Sequence, residues 1–122
     1  MNRQTFKQYV GTKGEEAAVE ILTGKGFNIL KRNYRVLNVG ELDIIAEKGG
    51  DIYIFEVRTR LNSGCYPDSV ESVAGKKMKR VMKTAMIFVA ANDLCYKNLI
   101  FEIASVTCDK QGNIQRVDFV PF

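Results

Sequence analysis

The chain has 122 residues, of which 46% are hydrophobic, and a net charge of +4. This size and apolar content predict one domain spanning residues 1–122 with a single core. Histidine is absent, which excludes an imidazole base and a His-ligated zinc, and the three cysteines are too widely spaced for a C-x-x-C motif or a disulfide framework. Any catalysis must therefore use carboxylates, cations and hard metal ions.

The first half of the chain is typical of one helix followed by three strands. Ala18, Ile21 and Leu22 recur at helical spacing, which predicts a helix over residues 12–25. Loosely alternating apolar residues predict a strand over 28–36. Two more strands are predicted over 41–47 and 51–59, because Gly49-Gly50 between them has the freedom at positive φ that suits a two-residue hairpin turn.

The second half begins with a loop containing Asn62, Ser63, Gly64 and Pro67. A helix is then predicted over residues 76–91, followed by strands over 99–106 and 114–120. The order of elements predicts an α/β fold in which a mixed five-stranded sheet carries flanking helices.

The second predicted helix has an apolar face and a basic face. Its apolar stripe favours core packing over a groove for a partner, because methionine fills irregular gaps well. The stripe consists of Met78, Val81, Met82, Ala85, Met86 and Val89, and the basic face of Lys76, Lys77, Lys79, Arg80 and Lys83.

The positive charge is concentrated in one part of the chain. Between Glu56 and Lys83 there are seven cations and three anions, whereas the eleven cations and eleven anions elsewhere cancel. Such a basic surface suits a polyanion such as nucleic acid, although a solvated helix face would carry the same pattern. The candidate nucleic-acid contacts are Arg60, Lys76, Lys77, Lys79, Arg80 and Lys83.

Two carboxylates are predicted to meet across the hairpin. If Gly49 and Gly50 are the central residues of the turn, Asp43 faces Glu56 on the neighbouring strand. Directly opposed like charges repel unless a proton or a cation lies between them. Mg²⁺ or Mn²⁺ would resolve the repulsion, because both ions prefer oxygen ligands. The same register places Glu41 opposite Arg58 as a cross-strand ion pair, with all four side chains on one face.

Short motifs along nearly the whole chain resemble the YraN-like family of small bacterial proteins. These are regarded as endonucleases by their similarity to archaeal Holliday junction resolvases of the PD-(D/E)XK superfamily. The motifs are Gly14-Glu15 with Ala18 and Leu22, Gly26-Phe27, Arg32-Asn33, Gly40-Glu41-Leu42-Asp43, Glu56-Val57-Arg58-Thr59-Arg60, and Lys76 or Lys77.

The resemblance implies a restriction-endonuclease-like core and a metal centre. Asp43 and Glu56 would bind Mg²⁺ or Mn²⁺ with the Val57 carbonyl as a third ligand, and Glu15 would act through the metal or its water. Arg58 occupies the position of the superfamily's lysine. Arginine keeps the charge but cannot release a proton in a protein. Lys13, Arg60 and Lys77 are the alternatives for that lysine's role.

Three functions follow as hypotheses. The first is a metal-dependent nuclease that hydrolyses phosphodiester bonds in DNA, with Glu15, Asp43, Glu56 and Arg58 as catalytic residues and Glu41 supporting the ligands. Backbone contacts would favour branched or flapped DNA over base readout. The second is a nucleic-acid-binding module of the same fold with impaired catalysis, and the third is a protein-interaction domain for an acidic partner.

The surroundings of the protein are also predicted. The N-terminus lacks the apolar stretch of a secretory signal, and no apolar run has the length of a membrane span, so we expect a cytoplasmic protein with no membrane partner. The apolar residues Val117, Phe119, Val120 and Phe122 are compatible with a homodimer as well as with core packing.

Overall fold

The protein consists of one mixed sheet with a helix on each side. The computed structural model describes residues 4–62 and 70–122, and in the second helix it describes side chains from Gly75 onward. Within these ranges the elements are α1 (Phe6–Gly24), β1 (Asn28–Val36), β2 (Gly40–Lys48), β3 (Asp51–Leu61), α2 (Val70–Ala91), β4 (Leu99–Cys108) and β5 (Ile114–Pro121). Residues 63–69 of the predicted loop lie outside the described part of the chain.

The strands lie in the order β1-β2-β3-β4-β5. β3 and β4 are parallel, whereas every other neighbouring pair is antiparallel. A parallel pair needs a long crossover connection, and the segment between β3 and β4 contains α2. The predicted α/β fold, with a mixed five-stranded sheet and two flanking helices, is confirmed.

Apolar side chains cover both faces of the sheet. On one face, Ala18 and Leu22 of α1 pack against Ile44, Ala46 and Phe55. The other face meets α2 in a cluster of Leu42, Ile45, Ile52, Ile54, Val81, Ala85, Phe88 and Val89. β2 and β3 contribute to both clusters and so lie at the centre of the molecule.

The hairpin between β2 and β3 has the predicted turn. Gly49 and Gly50 have φ values of +60° and +86°, and Lys48 pairs with Asp51 directly beside them. Two successive positive φ angles are characteristic of a type I′ turn, which matches the twist of the strands that it joins. The turn therefore sets the register of this hairpin as the sequence predicted.

Both helices begin six residues before their predicted starts. α1 begins at Phe6 because Thr5 and Gln8 form a capping box, in which the Thr5 hydroxyl accepts from the Gln8 backbone N–H and the Gln8 side chain accepts from that of Thr5. α2 begins at Val70 and runs through Gly75. A glycine inside a helix costs about 1 kcal/mol, which does not terminate a long helix.

The predicted methionine stripe of α2 is wrong at two positions. Met82 and Met86 are 46% and 56% exposed, and Phe88, which the prediction omitted, is 6% exposed and packs in the core. Only a narrow stripe of a helix faces a sheet, and on α2 this stripe follows Val81, Ala85 and Phe88. None of the helices in the described ranges combines the length and apolar character needed to cross a bilayer.

Gly14 lies where α1 packs tightly against the sheet. A Cβ atom at Gly14 would lie 2.4 Å from Thr59 Oγ1 and 3.4 Å from Val106 Cγ1, whereas one at Gly11 would have nothing within 4 Å. We expect Gly14→Ala to lower the free energy of unfolding by about 1–2 kcal/mol, because overpacking outweighs the gain in helix propensity. Gly11→Ala should raise it by about 0.5–1 kcal/mol. Urea unfolding tests the pair, and stabilisation by both substitutions would contradict a tight contact at Gly14.

Candidate metal centre

β2 and β3 separate at the end of the hairpin that holds the acidic residues. Their pairing ends at Ile44 and Phe55, and beyond these residues β2 pairs only with β1 and β3 only with β4. The two strands thus form a fork. Asp43 is the first residue of β2 past the last pair, and Glu56 is the first residue of β3 past it.

The side-chain alternation of β2 is interrupted at the fork. Leu42 packs in the cluster on the α2 side, whereas Ile44 packs in the cluster on the α1 side. Residues two apart in a regular strand share a face, so the alternation breaks at Asp43 between them. On β1, Asn33 has a φ of +51° and lies between Arg32 and Tyr34, which pair with Ile44 and Leu42 on either side of Asp43. Both strands are therefore irregular where Asp43 reaches into the fork.

Asp43 bridges the two arms of the fork through its side chain. Its Oδ2 accepts a hydrogen bond of 2.8 Å from the Val57 backbone N–H, which would otherwise lack a strand partner. Burial and, after it, the nearby Glu56 carboxylate raise the pKa of Asp43 from its ordinary 3.8 to about 7, whereas the Val57 hydrogen bond opposes this rise. The carboxylate is therefore held where negative charge is unfavourable.

Glu56 is buried beside Asp43 and has a cationic partner from α2. It is 6% exposed, and its Oε1 lies 2.5 Å from the Nζ of Lys77. Of the three cations considered for the lysine role, Lys77 is the one that the structure shows in an ion pair with Glu56. Lys13 lies over the Tyr9 ring at 5.1 Å from its centroid, and Arg60 lines a different cavity.

Glu15 approaches from α1 but is held by β1. Its Oε1 accepts hydrogen bonds of 3.1 Å from Arg32 Nε and Asn33 Nδ2. Its charge contributes to the raised pKa of Asp43, so it lies near the fork. These hydrogen bonds join α1 to the distorted part of β1. The action of Glu15 through a metal stays a prediction.

The predicted register is wrong beyond Ile44 and Phe55. It requires Asp43 to pair with Glu56 and Glu41 with Arg58, but neither pair belongs to the observed ladder. Among the ion pairs of the described residues, none joins Glu41 to Arg58. Extrapolation from the turn fails because the strands diverge, so Asp43 and Glu56 are neighbours in a fork instead of a regular cross-strand pair.

A cleft of about 570 Å³ opens onto the two carboxylates. Asp43, Glu56 and Glu41 line it together with three cations, Arg35, Lys77 and Arg80. The other predicted nucleic-acid contacts, Arg60, Lys76, Lys79 and Lys83, do not line the cleft. Lys76, Lys79, Arg80 and Lys83 are all exposed on α2. The exposed cations extend the positive surface from the cleft along the helix.

The donor set of the fork fits a hard cation with few protein ligands. Among the described residues, no group of three or more acidic or cysteine side chains is placed to hold a metal ion. Asp43 and Glu56 supply two carboxylates, and the Val57 carbonyl points to the same side of β3 as its N–H, which is bonded to Asp43. Mg²⁺ commonly takes one or two carboxylates and completes its shell with water and phosphate oxygens.

The raised pKa of Asp43 predicts a pH dependence of stability. The folded protein binds a proton at Asp43 with a pKa of about 7, against 3.8 for the ordinary group. The folded state therefore binds more protons in this interval, and the free energy of unfolding falls as the pH rises through it.

Asp43→Asn removes this titration and keeps an acceptor for the Val57 N–H. In the presence of a chelator, the variant should gain on the order of 2 kcal/mol relative to wild type between pH 5 and pH 8. Urea unfolding at the two pH values measures the difference. If variant and wild type differ by the same free energy of unfolding at both pH values, the pKa of Asp43 is not raised by burial.

Comparison with known proteins places most of the chain in one family. Residues 14–121 match the model of the uncharacterised protein family UPF0102. The chain belongs to the UPF0102 family. It is 38% identical over 112 residues to a UPF0102 protein of Dictyoglomus turgidum, covering 92% of this chain and 93% of the relative. A UPF0102 protein of Persephonella marina is 41% identical over 102 residues, with 83% and 85% covered, and one of Clostridioides difficile is 39% identical over 97 residues, with 79% and 82% covered.

Sequence reasoning missed two cationic contacts of this UPF0102 protein. Arg35 lines the cleft, and Arg32 binds Glu15 beside the fork. Both belong to β1, whose sequence indicates only an ordinary polar face. The alternation of apolar and polar residues in β1 predicts neither contact, because the distortion at Asn33 depends on its neighbours in the sheet.

Proposed function

We propose that this UPF0102 protein is a metal-dependent nuclease that hydrolyses phosphodiester bonds in DNA, with its active site at the fork between β2 and β3. The observation that carries the proposal is the buried pair Asp43 and Glu56, which faces a cleft lined by cations. A restriction-endonuclease-like core and membership of the PD-(D/E)XK superfamily are part of the proposal. The resemblance to YraN-like proteins supports it.

In this proposal Asp43 and Glu56 hold Mg²⁺ or Mn²⁺ together with the Val57 carbonyl. When bound, the metal lowers the pKa of a water molecule and polarises the phosphate. The chain itself fixes the two carboxylates before the metal arrives, because the Val57 N–H orients Asp43 and burial holds Glu56. Preorganised ligands of this kind need little rearrangement during the reaction.

Lys77 takes the role of the superfamily's lysine in our proposal. Its ammonium group contacts Glu56 and lines the cleft, so it lies beside the metal ligands and faces the substrate. An ammonium group has three donors, and one can contact Glu56 while another binds a phosphate oxygen. Arg58 lines a separate cavity and so does not take this role.

Cations around the cleft would bind the DNA backbone. Arg35 and Arg80 line the cleft from opposite elements, β1 and α2, and the exposed lysines of α2 continue the surface. Contacts of this type bind phosphate without reading bases, so the affinity should fall steeply with salt.

One observation favours the impaired DNA-binding module as a second candidate. The Lys77 ammonium already compensates the charge of Glu56, as a metal would. A permanent ion pair at this position would occupy Glu56 and leave the fork without metal. The second candidate therefore predicts DNA binding with no cleavage and no response to Mn²⁺.

Cleavage assays test the proposal. The purified protein is incubated with supercoiled, linear, flapped and four-way junction DNA in Mg²⁺, Mn²⁺ or a chelator, and the products are separated on denaturing gels. We expect cleavage with Mg²⁺ or Mn²⁺ that stops with the chelator. Binding of these substrates without cleavage in either metal would favour the impaired module and overturn the nuclease.

A further inference from the structure

A second cavity lies on the sheet beside the proposed active site. It has a volume of about 700 Å³ and is lined by residues of β3, β4 and β5. Ile103 and Val120 contribute apolar wall, and three arginines, Arg58, Arg60 and Arg116, contribute positive charge. A concave site that combines apolar surface with a few charged groups is typical of a small-ligand site.

The cavity is a continuation of the fork along the sheet. Glu56 pairs with Ile103, and Arg58 pairs with Ser105, so Arg58 shares a face of β3 with the metal ligand Glu56. Two residues along a strand span about 7 Å. Because a DNA strand rises about 3.4 Å per nucleotide, the two positions lie within one or two nucleotides of each other.

Arg58 has donors that the described residues do not satisfy. Its Nε and Nη2 are buried, and neither has a hydrogen-bond partner in the described part of the chain. These two groups form one edge of the guanidinium, and their N–H bonds are parallel. This edge matches two oxygens of one phosphate, in the fork geometry that makes arginine a phosphate ligand.

The residues that line the cavity carry a net positive charge. They include three arginines and a single acidic residue, Asp118. The Oδ2 atom of Asp118 lies 2.6 Å from Arg116 Nε, so the charge of Asp118 is compensated within β5. Arg58 lies on β3, nearest the proposed metal centre, and this is therefore the side of the cavity that attracts an anion.

We propose that this cavity binds an unpaired nucleotide of the DNA strand that enters the fork, with Arg58 gripping its phosphate and Ile103 and Val120 contacting its base. The inference rests on the proposed function and names its substrate class: DNA with a single-stranded segment next to the cut. In a duplex the bases are stacked inside, whereas an unpaired base presents its face to apolar side chains. Both donors are buried in the free protein, so binding requires the Arg58 side chain to turn its unsatisfied edge toward the phosphate.

Affinity measurements in chelator test the cavity independently of catalysis. Fluorescence anisotropy compares a single-stranded oligonucleotide with a duplex of equal length, and inorganic polyphosphate serves as a competitor that has charge but no bases. Arg58→Gln removes the phosphate contact, and Val120→Glu places a carboxylate at an exposed position of the wall. Lys110→Gln, at an exposed position in the turn between β4 and β5, is the control for the loss of one charge.

We expect wild type to bind the single strand at least about tenfold more tightly than the duplex, since a stacked base adds contacts that phosphate alone lacks. Arg58→Gln and Val120→Glu should each remove most of this preference, whereas Lys110→Gln should weaken both DNAs equally and slightly. Because Val120 is partly exposed, its substitution keeps the test informative even if Arg58→Gln does not fold.

Two results would overturn the inference: equal affinities for the single strand and the duplex, or full competition by polyphosphate at equal phosphate concentration. Failure of the nuclease proposal looks different. In that case every DNA stays uncut in Mg²⁺ and Mn²⁺, while the single-strand preference and its dependence on Arg58 and Val120 persist.

Discussion

Asp43→Asn and Glu56→Gln should each lower DNA cleavage by about 1,000-fold or more. Each substitution removes a carboxylate that would hold the metal, and without the metal the charge that develops on the phosphate is not stabilised. The two substitutions preserve size and hydrogen bonding. The amide oxygen introduced by Asp43→Asn can still accept from the Val57 N–H, which contacts Asp43 at 2.8 Å. Loss of activity without loss of fold would therefore reflect the missing negative charge.

Metal binding gives a readout that does not depend on turnover. Changes outside the direct ligands typically cost 10- to 100-fold in metal affinity, so removal of a direct ligand should weaken Mn²⁺ binding by at least about 100-fold. Isothermal titration with Mn²⁺ measures this loss. Glu20→Gln is the matched control, because Glu20 is an exposed carboxylate on α1 that does not line the cleft. Unchanged Mn²⁺ affinity in both variants would rule out a metal at this fork.

Lys77→Met should reduce cleavage by about 100-fold while the protein keeps its affinity for Mn²⁺. The reduction follows because a donor near the phosphate typically contributes 100- to 1,000-fold. The metal affinity persists because Asp43 and Glu56 remain, and removal of a competing cation from Glu56 even favours metal binding. Lys76→Met, at the adjacent exposed position of α2, is the control for hydrophobic substitution and charge loss.

The stability of the Lys77→Met variant separates a catalytic lysine from a structural one. Without Lys77, Glu56 is a buried carboxylate that has lost its ion pair, which should cost about 1–3 kcal/mol in the metal-free protein. Addition of Mn²⁺ should restore most of this loss, because the metal replaces the cation. If the variant cleaves DNA as wild type does and only its metal-free stability falls, Lys77 is a structural partner of Glu56 and not part of catalysis.

Local sequence patterns predict most of the architecture. Gly49-Gly50 predicts the hairpin and its register, and the five pairs next to the turn follow that register. The predicted starts of α1 and α2 are wrong because apolar periodicity alone does not locate the ends of these helices. It shows neither the capping box at Thr5 nor the tolerance of Gly75 inside a long helix. Met82 and Met86 are misassigned because the width of the buried stripe depends on where the helix meets the sheet.

The candidate site was likewise predictable only in part from the sequence. Turn geometry predicts Asp43 and Glu56 as neighbours, and in the structure the Glu56 charge raises the pKa of Asp43. The partners of these residues are not predictable, since the Val57 N–H reaches Asp43 only where the strands diverge, and Lys77 reaches Glu56 from a helix 21 residues further along the chain.

The sequence by itself determined that Asp43 and Glu56 are neighbours, because the two-glycine turn fixes the register of the five pairs that lead up to them. Only the tertiary structure decided that the meeting occurs in a fork, that Lys77 and not Arg58 is the cation at Glu56, and that Arg58 faces a second cavity. The physical reason is the distance along the chain over which each interaction acts. Turn chemistry and side-chain alternation act between near neighbours, whereas the divergence of β2 from β3 and the position of α2 result from packing on both faces of the sheet.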